Sequence, residues 1–150
     1  DYPCPAGGCL LTYAGFADKV RDLLEHGPWD AWAVNLLKTG RHFRLTPRHK
    51  LIVGKNSGEN DRLIGAARPG DTVIISEDLP GPASLLTGPE DPAVREIALG
   101  INARYCDGAG PGSVTLAWYR QEPSPARQQA AVPPLPADKV RSLQLALDQA

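Results

Sequence analysis

Between Gly40 and Gly81 the chain changes its hydrophobic period several times within one run, GRHFRLTPRHKLIVGKNSGENDRLIGAARPGDTVIISEDLPG. Phe43 and Leu45 alternate with Arg44 and Thr46, a two-residue period that belongs to a strand. Pro47-Arg48 makes a turn and Lys50 to Val53 is strand-like again, so residues 41–54 read as a hairpin. Asn56 or Ser57 can then cap a helix reaching about Ala67, and Pro69-Gly70 turns the chain into an apolar, β-branched strand over 72–76. The run stops at Leu79-Pro80-Gly81. Strands and helices in this order lack the regular alternation of a doubly wound sheet.

The flanks extend the same reading. Residues 1–39 begin as a Pro- and Gly-rich loop, followed by a helix from Thr12 with Phe16, Val20, Leu23 and Leu24 on one face. Gly27-Pro28 stops that helix, and Asp30 caps a shorter one through Leu37. After the turn at 80–82, Ser84 to Thr87 is a short strand. Asp91-Pro92 opens a helix with a capping acid and Pro at its first position, and Val94, Ile97, Ala98, Ile101 and Tyr105 share its face. A glycine loop at 108–112 leads to a strand over 113–119. Residues 121–136, rich in Pro with Gln, Ala and Ser, read as an extended linker. Residues 137–150 read as a C-terminal helix with Val140, Leu143 and Leu147 as an apolar stripe. The expected fold is α+β, a mostly antiparallel sheet with packed helices, its core at 40–120.

Charge separates the function classes. The 150-residue chain has a net charge of −1, yet its central run holds seven Lys/Arg, at 41, 44, 48, 50, 55, 62 and 68. A polybasic protein is excluded, and any nucleic-acid surface must be local. No apolar run is long enough for a membrane span. Three Cys without a basic, apolar leader point to a reducing, cytoplasmic setting. The start at Asp1 and the absence of Met lead us to expect a domain from a longer protein.

Candidate chemistry is limited. Cys4 and Cys9, separated by four residues on a Gly-rich loop, can chelate a metal, form a disulfide, carry sulfur, or simply fill a tight turn. Only Cys106 and three scattered His remain to complete a metal set, so no metal site is assigned. Cys106, at the end of an apolar helix face, is expected to be buried and inert. On the hairpin, Arg and Lys are either solvated strand residues or phosphate contacts. His42, Phe43 and Trp29 are candidate stacking surfaces, with Phe43 assigned preferentially to the core. Gly54-Lys55-Asn56-Ser57-Gly58 joins a strand to a helix mouth but lacks the Walker A spacing. Asn56 and Asn60 read as residues that cap and brace this turn. His26, His42 and His49 form no paired motif, and no nucleophile-base-acid set stands out.

The stretch LIVGKNSGENDRLIGAARPGDTVIISEDLPGPASLL resembles the RNA-binding domain NFACT-R of the NFACT proteins, which act in ribosome quality control or are fibronectin-binding-like. Val53, Gly54, Lys55, Asn56, Asn60, Leu63, Pro69, Asp71, Pro80 and Gly81 carry the likeness, and the helix ending in Tyr105-Cys106 with strand 113–119 extends it to roughly residues 40–120. The chain departs from many relatives at Asp78 and Pro82-Ala83, where they have His and Ser-His. CPAGGCLLT and LLKTGRHFRL are similar to the variant placed C-terminal to a PP-loop ATP pyrophosphatase related to tRNA 2-thiouridylases. The resemblance implies an upstream PP-loop ATPase domain in the same chain and a noncatalytic accessory role here, presenting tRNA. No cofactor is expected in this domain, and ATP only in the upstream one. Arg41, His42, Arg44, Arg48, Lys50 and Lys55 would contact RNA phosphates. Two alternatives stay open: Cys4 and Cys9 carry a persulfide or help hold a metal cluster in the sulfur-transfer enzyme, or the hairpin docks a protein partner.

Overall fold

In the computed structural model, residues 16–26, 31–107, 112–122 and 126–145 are described. Helices α1 (Phe16–His26) and α2 (Ala31–Leu36) precede a hairpin of β1 (Arg41–Thr46) and β2 (His49–Val53). Helix α3 (Ser57–Ala66) follows, then β3 (Thr72–Ser76), β4 (Ser84–Thr87), α4 (Pro92–Arg104), β5 (Val114–Arg120), β6 (Gln128–Val132) and α5 (Ala137–Leu143). The six strands form one sheet in the order β1-β2-β4-β3-β5-β6, with every pairing antiparallel. The fold is α+β. The candidate caps act as the sequence suggests: Asn56 accepts the Glu59 amide at the start of α3, and Asp91 accepts the Ala93 and Val94 amides at the start of α4.

Both faces of the sheet are covered, which is why TVIIS and LIV read as continuous apolar runs rather than alternating ones. Phe43, Leu51, Val53, Ile74, Leu86 and Leu116 point to one face and pack with α4 and α5. Ile52, Val73 and Leu85 point to the other and pack with Leu36 of α2 and Leu63 of α3. Helix α1 joins that second layer through Leu23, which clusters with Ala33 and Leu37. Phe43 is fully buried, as its core assignment requires.

Two stretches differ from the sequence reading: the linker, and the C-terminal helix, which ends at Leu143 where the sequence reading carries it to 150. Residues 128–132, within the expected linker 121–136, form strand β6 on β5, with Val114 opposite Val132 and Trp118 opposite Gln128. An edge strand buries only part of its side chains, so its Gln and Ala residues leave almost no apolar alternation to read. The prolines at 133 and 134 follow the strand rather than interrupt it. Beyond them, the Leu135 amide donates to Gly100 O at 3.0 Å, and its side chain lies on α4 where Gly100 has no Cβ. After α5 the chain returns to the free edge of β1, where Gln144 bridges Phe43 and the Leu145 amide donates to His42 O at 2.9 Å.

The β2–α3 corner is held by a clasp. Gly54 N donates to Ala83 O at 3.0 Å, and Ala83 N donates to the Asn60 side-chain oxygen at 3.1 Å. That oxygen lies where a Cβ on Gly54 would be. Gly54→Ala therefore ejects Asn60 and strips a buried amide of its acceptor, a loss of about 2–3 kcal/mol in urea unfolding. Gly65→Ala, in open space on α3, should instead stabilise by roughly 0.5–1 kcal/mol. Equal effects of the two substitutions would contradict the clasp.

Candidate nucleic-acid interface

Alternation along β1 divides the basic hairpin between the two helical layers. Arg41 lies on the α4 side, its guanidinium 4.6 Å from the centroid of the Tyr105 ring. His42 points the opposite way and is 1% exposed. Its Nε2 lies 3.0 Å from Leu36 O and 2.9 Å from Thr39 O, so that nitrogen carries the proton and donates. Burial, together with the charges of Lys50 and Lys19, holds the ring well below the usual histidine value, hence neutral. The expected phosphate contact at His42 is therefore corrected: a buried, uncharged imidazole already bonded to backbone carbonyls cannot meet a phosphate.

Arg44 and Lys50 lie on the α1–α2 side and share one carboxylate. Arg44 forks onto Asp22, with Nε 2.9 Å from one oxygen and a terminal nitrogen 2.6 Å from the other. Lys50 Nζ is 3.9 Å from Asp22 and His26 Nδ1 is 3.3 Å from it. Burial raises the Asp22 carboxyl, but the Arg44 hydrogen bonds and charge, with Lys50 and His26, outweigh it and hold the group below the usual carboxylate value. Lys50 is pushed down to about 8, first by burial and then by Arg44 and Lys19, against the pull of Asp22. Arg44 thus serves architecture, as an internal counter-ion that ties α1 to the hairpin. This role is invisible in the sequence because Asp22 lies 22 residues away. The available signal was an acid beside Leu23 on the apolar stripe of α1.

Arg48, at the hairpin turn, and Lys55, before α3, are exposed. Lys55 meets Arg41 across an open cleft of about 500 Å3, lined also by Asn56, Ser57, Asn60, Tyr105 and the acidic Asp107. At its α3 end the capping is reciprocal: Asn56 Oδ1 accepts the Glu59 amide and Glu59 Oε1 accepts the Lys55 amide, both at 2.9 Å. Those two amides are occupied, and the cations of the cleft are the side chains of Arg41 and Lys55. Asn56 and Asn60 cap and brace, as read. Under the cleft, Ser76 Oγ donates to Pro82 O at 2.8 Å and lies 3.3 Å from Cys106 Sγ. Burial raises the Cys106 thiol, so it is held as an inert thiol.

Cys4, Cys9 and Trp29 lie outside the described residues. Among the described residues no group of three or more His, Cys, Asp or Glu could hold a metal ion, and no helix is long and apolar enough to cross a membrane. Sequence reasoning also missed a stacked pair: the Arg68 guanidinium lies 3.5 Å from the Trp32 ring centroid, joining α2 to the α3–β3 turn.

A family model described as the NFACT protein RNA binding domain matches residues 40–143. The fold is similar to a solved structure, the C-terminal part of the fibronectin/fibrinogen-binding protein from Streptococcus suis, with a TM-score of 0.60 and 18% identity. That similarity covers 86% of this chain and 61% of the other, so the chain spans less than two thirds of the solved one. At this identity the likeness concerns the fold. No curated protein matches the chain in sequence.

The depressed Lys50 predicts a pH dependence. Between about pH 8 and 10.5 the unfolded chain keeps a proton that the folded chain has released, so folding stability climbs with pH across that window. The climb is at most about 3 kcal/mol. Lys50→Met removes it, and its stability advantage over the parent at pH 7 should shrink by pH 10.5 in urea unfolding. Parallel pH profiles for the two proteins would contradict this assignment.

Proposed function

The chain belongs to the family of NFACT protein RNA-binding domains, and on that premise we propose that it binds RNA at the cleft between the start of β1 and the mouth of α3. Arg41 and Lys55 take the backbone phosphates, and Tyr105 offers an aromatic surface beside them. One observation carries this choice of surface. Of the basic residues in the hairpin and the α3 mouth, Arg44 is forked onto Asp22 and Lys50 lines the cavity on the other face of the sheet, whereas Arg41 and Lys55 line the same open cleft. Arg48, on the exposed turn, adds a further phosphate contact at the far end of the hairpin.

The finer reading is that the RNA is tRNA. The domain would be the noncatalytic, cytoplasmic accessory part of a tRNA-thiolation protein, beside a PP-loop ATPase domain that alone uses ATP. Its support is the likeness of CPAGGCLLT and LLKTGRHFRL to the C-terminal partners of such ATPases.

Binding is expected to be salt-dependent, because each phosphate contact releases counterions. Arg41→Gln combined with Lys55→Gln should weaken tRNA binding at least tenfold at moderate salt. The slope of log affinity against log salt should fall by about 1.5, the share of two phosphates. Gel shifts over a salt series measure both quantities. Unchanged affinity and slope would sink the assignment of this cleft, and absence of binding by the parent protein to any RNA would sink the RNA reading itself.

A further inference from the structure

On the other side of the sheet, a second cavity of about 350 Å3 lies between α1, α2 and the hairpin. Its floor is apolar, made by Leu23, Leu36 and Ile52. One wall is Trp32, whose ring carries the Arg68 guanidinium 3.5 Å from its centroid and whose indole N–H donates to Ala66 O at 2.7 Å. The rim is basic, with Arg44, Arg48, Lys50 and Arg68 all lining it.

Among the described residues, two carboxylates lie near these cations, Asp71 in the lining and Asp22 behind Arg44. Asp71 accepts the Arg68 amide at 2.9 Å, and both Asp22 oxygens accept the Arg44 fork. Lys50 Nζ, on a side chain 13% exposed, donates no hydrogen bond to a described residue, and Asp22 at 3.9 Å is its ion-pair partner. A half-dry ammonium with three donors and no acceptor at hydrogen-bonding distance favours an anion. The neighbouring Arg48 is exposed and lines the same cavity.

We propose that this cavity takes a single nucleotide unit, with the base or ribose against Trp32 and the apolar floor and the phosphate between Lys50 and Arg48. The inference rests on the RNA-binding reading, which supplies the class of ligand. RNA presents splayed nucleotides with a flat apolar face and one phosphate, and proteins recognise them by stacking combined with charge. The volume lies at the small end of the roughly 300–1,000 Å3 range of ligand pockets, which suits one nucleotide and excludes a duplex. The same chemistry is offered by an unpaired nucleotide of an RNA chain and by a free nucleoside monophosphate.

The test is an NMR titration of the full 150-residue chain with AMP, adenosine, inorganic phosphate and a single-stranded oligoadenylate. AMP should shift the Lys50 and Gly88 amides and the Trp32 indole N–H. Adenosine and phosphate alone should each bind at least tenfold more weakly than AMP. Lys50→Met and the solvent-exposed Arg48→Ala should each weaken AMP at least fivefold, while Lys139→Ala on α5 leaves it unchanged. The Arg48 variant keeps the test open should Lys50→Met disturb the fold. Binding of AMP alone assigns the pocket to a free nucleotide, and equal or tighter binding of the oligomer assigns it to an RNA chain; either outcome upholds the pocket. No shift at these positions, or AMP affinities unaltered in both variants, overturns it even if tRNA still binds the chain. AMP binding by a protein that ignores tRNA would instead overturn the RNA reading and leave the pocket standing.

Discussion

The sheet is covered on both faces, so the two-residue period of β structure sends each hairpin side chain to one helical layer or the other. Everything distinctive about the basic cluster follows from that constraint. Arg41 and Phe43 go to the α4 layer, and His42 and Arg44 go to the α1–α2 layer. In the second layer a charge cannot stay unpaired, and the carboxylate of Asp22, itself 6% exposed, meets it. The ion pair holds α1 on the hairpin and draws Arg44 away from solvent. In the first layer, Arg41 stays at the rim of a cleft with Lys55. A run that looks like one basic patch in one dimension is divided between the two faces of the sheet in three.

Local signals were legible, and non-local ones were not. The hairpin, the caps of α3 and α4 and the buried strand β3 depend on residues within a few positions of one another, and each forms where the sequence places it. Strand β6 was missed because an edge strand needs little apolar patterning, and its prolines lie outside the paired residues. The fate of His42, Arg44 and Lys50 was missed for a different reason. Each is set by a partner from α1, α2 or the turn after α2, and nothing within the hairpin encodes that partner.

The same division clarifies the marks of the family. Gly54, Asn56 and Asn60 form a cap and a clasp that close the β2–α3 corner onto the β3–β4 loop. Gly81 lets that loop pass close to Cys106 and Ser76. These residues make the frame, and the charges we propose to meet RNA, Arg41, Arg48 and Lys55, are displayed on it.

Residue-resolved mapping of tRNA on the isotope-labelled chain tests the division of the basic run most directly. Amide shifts should concentrate at 40–41, 54–58 and 105–107, with a second group confined to the rim of the cavity near 48–50 and 87–88. The buried His42 ring and the Arg44 side chain should keep their resonances. Shifts centred on β6 and α5, or loss of the Arg44–Asp22 pairing on binding, would contradict the account.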